Sequence, residues 1–210
     1  MTLDYGAARE NMVENQVRTN DVTDHAVQDA MRAVARESVC LPGKAHLAYA
    51  EADVEYAPGY FLLQPREVSK LLQAVRPRAG ERALAISAPY AAMVLNRIGL
   101  DVRLRLAPEV EAAPAIAQSG IAVVNGALTA ADDAASFDLI LVEGAVDRTP
   151  DSWTAMLRIG GRLGVVERDG PVGRARLYVR GPDGSVAGRT LFDATPPMLP
   201  GFSPAPAFQF

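Results

Sequence analysis

"ERALAISAPYAAMVLNRIG", Glu81 to Gly99, is the stretch that decides the fold. It reads as a buried strand, a tight turn and a helix. In open α/β sheets such a turn often cradles a nucleotide-like cofactor, because ligands bind outside the carboxyl ends of the strands. Glycines are usual there, since the ligand approaches the backbone closely and the turn can require positive φ. This turn, Ser87-Ala88-Pro89-Tyr90, has none.

Outward from that stretch, short apolar runs alternate with helix-length segments. The runs are "RALAIS", "DVRLRLA", "IAVVNG", "FDLILVEG" and "GRLGVVER"; between them lie "PYAAMVLNRIG", "PEVEAAPAIAQSG", "LTAADDAAS" and "TPDSWTAMLRIG". This alternation predicts βαβ units, a parallel sheet with helices on both faces, and a doubly wound, Rossmann-like α/β fold. Upstream, "YGAARENMVENQVRT" and "HAVQDAMRAVARE" carry apolar residues at helical spacing, with Thr23 as the expected N-cap of the second. "KAHLAYA" suits a short helix, "DVEYAPGYFLLQP" an extended segment broken at Pro58-Gly59, and "REVSKLLQAVRP" a helix stopped by Pro77. Downstream, "RARLYVRG" and "GSVAGRTLFDA" flank the turn signal Gly181-Pro182-Asp183-Gly184 and predict a hairpin. The end, "TPPMLPGFSPAPAFQF", reads first as a strap packed down by Phe202, Phe208 and Phe210, and second as a docking tail for a partner. The expected organisation is a helical extension over 1–80, a Rossmann-like core over 81–170 and strands plus strap over 171–210, all in one compact domain.

Composition narrows the function classes. An apolar fraction of 49% with 22% charged residues is that of a globular chain. The net charge of −4 and scattered Lys and Arg give no reason to expect nucleic-acid binding. No apolar window approaches the ~18 residues of a membrane span, and "MTLDYGAARENM" has no secretory pattern, so a cytoplasmic protein is expected. A lone cysteine and two histidines make a Cys/His metal site improbable, and none is assigned. Cys40 is expected to be buried and inert, His25 and His46 structural or exposed, and Trp153 a packing residue.

Position by position, the turn offers a cofactor little. Pro89 suits a first helical turn but has no N–H to donate. Ser87 is read as a cap on the helix beginning at Pro89. The second strand ends in Arg105, Leu106 and Ala107, with no carboxylate before Glu109 to hold ribose hydroxyls. Glu143, after the fourth strand, is a candidate to line a ligand crevice.

Several stretches carry a family resemblance. "ARENMVENQVRTNDVTDHAVQDAMRAVARESV" resembles the N-terminal helices of protein-L-isoaspartate O-methyltransferases. "AYA…GYFLLQPREVSKLLQAV" resembles their Ala-Tyr and Ser-Gln-Pro segments, and "FDLILVEGAVDRTPDSWTAMLRIGGRLGVV" their fourth strand, helix and Gly-Gly-Arg-Leu strand. "LFDATPPMLPGF…PAFQF" looks like a divergent bacterial branch. The resemblance implies a class I S-adenosylmethionine-dependent methyltransferase fold and, where the working residues are present, methyl transfer to the carboxylate of isoaspartyl residues in damaged proteins.

Carried over by position, most of those residues differ. The acid of the family's first-strand motif falls on Ala85, and its glycine-rich turn on Ser87 and Ala88 before Tyr90, in a loop about two residues shorter. The ribose-side acid falls on Arg105, the Gly-Asp of the third strand on Gly126 and Ala127, and the acceptor-site serine on Leu63, while Gln64 and Pro65 remain. Losing two hydrogen bonds from a charged group costs roughly 3–6 kcal/mol, or ~10²–10⁴-fold in affinity at about 1.4 kcal/mol per tenfold. The resulting expectation is a divergent family member without tight S-adenosylmethionine binding, acting as a binding or scaffold protein for a protein or peptide near Gln64-Pro65. Two alternatives stand beside it. One is an active carboxyl methyltransferase using Ser87–Tyr90 and Glu143. The other is a binder of a phosphorylated small ligand at Arg105, set against a plainly solvated arginine. The oligomeric state is left open.

Overall fold

The computed structural model describes residues 4–131 and 134–203. The chain opens with α1 (Tyr5–Met12), a π-type turn and a 3-10 turn, then α2 (His25–Ala33). Asp24 rather than Thr23 is the N-cap of α2, its carboxylate accepting from Val27 N at 3.2 Å. An aspartate there also answers the positive end of the helix dipole. "KAHLAYA" contributes only to a 3-10 segment, Pro42–Leu47. The extended segment folds into a hairpin, β1 (Val54–Ala57) and β2 (Tyr60–Leu62), turning at Pro58-Gly59. α3 (Pro65–Val75) begins with proline at its first position and ends at Arg76 in the left-handed conformation, directly before Pro77.

The alternating region builds β3 (Arg82–Ile86), α4 (Pro89–Ile98), β4 (Asp101–Leu106), α5 (Pro114–Gln118), β5 (Ala122–Asn125), β6 (Phe137–Val146), α6 (Asp151–Ala155) and β7 (Leu157–Asp169). "LTAADDAAS" holds turns, not a helix, among its described residues. β8 (Val172–Arg180) and β9 (Val186–Asp193) follow as a hairpin that joins the same sheet. The seven-stranded order is β5-β4-β3-β6-β7-β8-β9, with the first five strands parallel and the last two antiparallel. This is the Rossmann-like, doubly wound layer expected from the alternation.

Burial explains the order. β3 is buried from Ala83 to Ile86, as a central strand covered on both faces must be, whereas β5 and β9 are largely exposed and stand at the edges. α4 packs on β3 and β4, α3 on β6 and β7, and α2 on α4. Gly164 on β7 admits α3 closely, since a Cβ there would stand 3.0 Å from Val75 Cγ1. The strand order reverses between β3 and β6, so the crevice opens at their carboxyl ends.

The chain's tail returns to that end. Ala145 N donates to Pro197 O at 2.9 Å, Leu199 N to Ala145 O at 2.8 Å and Asp147 N to Phe202 O at 3.1 Å. Phe202 packs on the fully buried Trp153, with ring centroids 5.5 Å apart. Phe208 and Phe210 lie outside the described residues. Trp153 also donates its indole N–H to Leu128 O at 2.8 Å, so it pins both the strap and the loop after β5. Trp153→Ala is therefore expected to cost about 3–5 kcal/mol, read as a lower midpoint in urea denaturation followed by circular dichroism.

Candidate functional site

Beyond Ile86, β3 and β4 stay joined for one more residue, Ser87 N donating to Arg105 O at 2.8 Å. Ser87 has φ +52°, the left-handed conformation that glycine adopts freely and other residues at a cost of roughly 1–2 kcal/mol. The turn thus keeps a glycine-like conformation without the glycine. Ser87 does not cap α4; Ala88 occupies the cap position with no side-chain acceptor. The serine hydroxyl instead shares a 2.7 Å hydrogen bond with the Tyr56 hydroxyl from β1. Burial pushes the Tyr56 phenol strongly upward, so it stays protonated.

Glu143 does not line a crevice. Its carboxylate is fully buried, Oε2 accepting from Leu63 N and Oε1 from Ala91 N, both at 2.9 Å. Ala91 is the third residue of α4, so its N–H is one that the helix cannot satisfy itself, and a negative charge there meets the positive end of the dipole. Burial pushes the Glu143 carboxyl up to about 6, against the pull of Arg36 and the two amides.

Arg36 completes this buried group. It is wholly inaccessible, with Nε donating to Ala48 O at 2.8 Å and Nη2 to Leu63 O at 2.5 Å, and its guanidinium lies 4.6 Å from the Tyr90 ring centroid. Leu63 is consequently held at its N–H by Glu143 and at its carbonyl by Arg36, and its side chain is fully buried. Gln64 caps α3, its N–H donating to Asp53 Oδ1 at 3.1 Å, and Pro65 follows as the first, buried residue of α3. Ala85, Ala88 and Tyr90 have no accessible surface.

Arg105 is neither solvated nor open to a phosphate. It is 1% exposed and its guanidinium donates to Ala130 O across the end of β5. Gly126 follows β5, its N–H on Leu106 O, and Ala127 begins the turn that Ala130 closes. The three consecutive carbonyls of Leu128, Thr129 and Ala130 accept from Trp153, Ser152 and Arg105. On the other flank Gly144 has φ +114°, and a Cβ there would stand 2.7 Å from the Leu199 side chain of the strap.

Two cavities border the crevice. One of about 360 Å³ is lined by Cys40, Tyr56, Pro89 and Leu106 among others. One of about 410 Å³ includes Tyr60, Glu109, Ala127 and Phe202. Leu63, Ala85, Ser87, Ala88, Tyr90, Arg105 and Glu143 line neither. Burial raises the Cys40 thiol to about 11, consistent with an inert packing residue. Among the described residues no group of three His, Cys, Asp or Glu could hold a metal. For S-adenosylmethionine the fit is poor: the geometry presents neither a ribose-side carboxylate on β4 nor a glycine-lined turn.

Comparison with known proteins gives the lineage. The family model for protein-L-isoaspartate(D-aspartate) O-methyltransferase matches residues 7–191. The chain belongs to the protein-L-isoaspartate O-methyltransferase family. Named relatives include the protein-L-isoaspartate O-methyltransferases of Methylorubrum extorquens, 37% identical over 86% of this chain and 83% of that protein, and of Methylorubrum populi, 37% identical over 84% and 88%. The fold superimposes with TM-score 0.74 on a Plasmodium falciparum protein-L-isoaspartate O-methyltransferase solved with S-adenosyl-L-homocysteine, at 15% identity over 91% of this chain and 97% of that one.

Within this family fold, Arg36, Tyr56 and Asp53 belong to the buried site yet carry no sequence signal of their own. Arg36 lies in the stretch that carries the resemblance, but nothing in its spacing says that it turns inward. Glu67 on α3 was equally silent: it is buried, one carboxylate oxygen lacks a partner among the described residues, and burial together with the charge of Asp53 raises it to about 7.

Two measurements follow from these burials. Glu143→Ala leaves two buried N–H groups without their acceptor and the buried Arg36 without a nearby counter-charge, and is expected to cost about 3–5 kcal/mol, with Glu143→Gln losing less in the same urea titration. For Glu67 the folded-state pKa lies above the unfolded one, so the folded chain holds the extra proton and stability falls as pH rises from about 4.5 to about 7. Glu67→Gln is expected to flatten that fall, gaining about 1–3 kcal/mol at pH 8 and nothing at pH 4. Thermal melts across pH would read it.

Proposed function

We propose that this chain is a family member that has exchanged the cofactor crevice for internal contacts and acts by binding a protein or peptide. The observation that supports this reading is the filling of the crevice by the chain's own groups. The Glu143 carboxylate takes the amides of Leu63 and Ala91, Arg105 takes the loop beyond β5, and Tyr90 is buried beneath the Arg36 guanidinium. A carboxylate already seated on a helix N-terminus competes directly with a ligand anion for the same donors. No step through S-adenosylmethionine is assigned. The reading keeps the segment around Gln64-Pro65 as the peptide-facing region, through the half-buried Gln64 and the exposed Arg66 that flank the buried Pro65, and the cytoplasmic setting expected from the sequence.

A second reading, an active S-adenosylmethionine-dependent carboxyl methyltransferase acting on isoaspartyl residues, is favoured by one finding. Relatives at 37% identity over most of their own length bear that name. Under it the buried contacts of Glu143 and Arg105 must rearrange when cofactor enters.

Calorimetric titration with S-adenosylmethionine and S-adenosylhomocysteine separates the two. The first reading expects no heat up to about millimolar ligand and no methyl transfer to an isoaspartyl peptide. Binding at about micromolar affinity, worth roughly 8 kcal/mol, together with transfer would establish the second.

A further inference from the structure

Arg76 and Arg78 lie in the loop entering β3, at the end of the sheet opposite the crevice. With Lys70 and Arg189 they line a cavity of about 760 Å³. A second cavity, of about 370 Å³, shares Arg76, Arg78 and Arg189 and adds Arg162, so the two form one trough along α3 and the outer strands. Arg162 is neutralised by Glu81 at 2.9 Å, and the Lys70 ammonium stands 4.7 Å from the Phe192 ring centroid. Among the described residues no carboxylate lies within ion-pair distance of Arg76, Arg78 or Arg189. Asp21 and Asp24 also line the larger cavity, Asp24 already engaged as the α2 cap, so its four cations outnumber its two carboxylates. In a chain of net charge −4 this is a local excess of cations.

One wall of the trough is β9, the outermost strand. It is exposed from Val186 to Thr190, and its one register irregularity falls at the Leu191 end, leaving the exposed half regular. An edge strand of this kind offers a row of N–H and C=O groups that another peptide main chain can pair. The side chains beside it are cationic.

We propose that β9 and this trough bind an extended acidic segment of a partner protein, its main chain adding to β9 and its carboxylates meeting Arg76, Arg78 and Arg189. A second copy of this chain is a poor occupant, because it would bring its own Arg189 and the same excess of positive charge to the contact. Nucleic acid would meet the cations but leave the strand edge unpaired. The proposal is independent of whether the crevice binds a cofactor.

The probe is a fluorescein-labelled (Glu-Val)4 peptide, with (Gln-Val)4 and (Lys-Val)4 as controls, followed by fluorescence anisotropy on the full chain. The (Glu-Val)4 peptide is expected to bind alone of the three and to weaken as salt rises. It should lose about tenfold or more in affinity to the Arg78→Glu/Arg189→Glu variant, whose melting temperature confirms that it folds. Hydrogen exchange should slow at the β9 amides when the peptide is bound. Absence of binding, equal binding of the three peptides, or binding indifferent to the variant overturns the proposal. So does a single-stranded oligothymidine that binds with the same sensitivity to the variant, or sedimentation showing a dimer that the variant dissolves.

Discussion

The carboxylate of Glu143, buried within β6 where its pairing with β7 is irregular, joins the segment entering α3 through Leu63 N to the first turn of α4 through Ala91 N. α3 packs on β6 and β7 and α4 on β3 and β4, so this one group ties together two helices that cover different strands of the sheet. A buried charge is tolerable only when its acceptor capacity is met and an opposite charge lies near. Here two amides, a helix N-terminus and the Arg36 guanidinium supply both. Arg36 in turn holds Leu63 and Ala48 by their carbonyls and covers the Tyr90 ring. The helical extension is therefore fastened to the parallel sheet through a polar cluster rather than through apolar packing alone.

The same principle closes the other half of the crevice. Three consecutive carbonyls after β5 accept from Arg105, Ser152 and Trp153, and Trp153 carries the strap through Phe202. Leu199 presses into the space that Gly144 leaves, which only a residue without a side chain at φ +114° provides. The strap, β4, α6 and the loop are thus mutually dependent.

Periodicity made the layer legible. "RALAIS" and "FDLILVEG" are buried along nearly their whole length, and such apolar runs separated by helical segments have few stable arrangements other than a parallel sheet with covering helices. The Pro58-Gly59 break and the Gly181–Gly184 signal were readable as turns because each residue type imposes a local backbone preference. Local chemistry ran out at the caps. Thr23 and Ser87 are both good N-cap residues, yet Asp24 caps α2 and Ser87 turns away to Tyr56, thirty-one positions earlier.

What the sequence by itself determined is the α/β layer, its family and the residue substitutions in the crevice: Ala85, Ser87-Ala88, Arg105 and Ala127 stand there whatever the chain does in space. What only the tertiary structure decided is where those side chains go. Arg105 reads first as solvated and second as ligand-binding, and neither reading anticipates its burial, because Ala130 O, on which it donates, is a backbone group and carries no residue-specific signal. Glu143 reads as a crevice residue until Leu63 N, eighty positions away, and Ala91 N are seen on its two oxygens. Backbone donors and acceptors are common to every residue, so which of them a buried charge will find is settled by the folded geometry and not by sequence pattern.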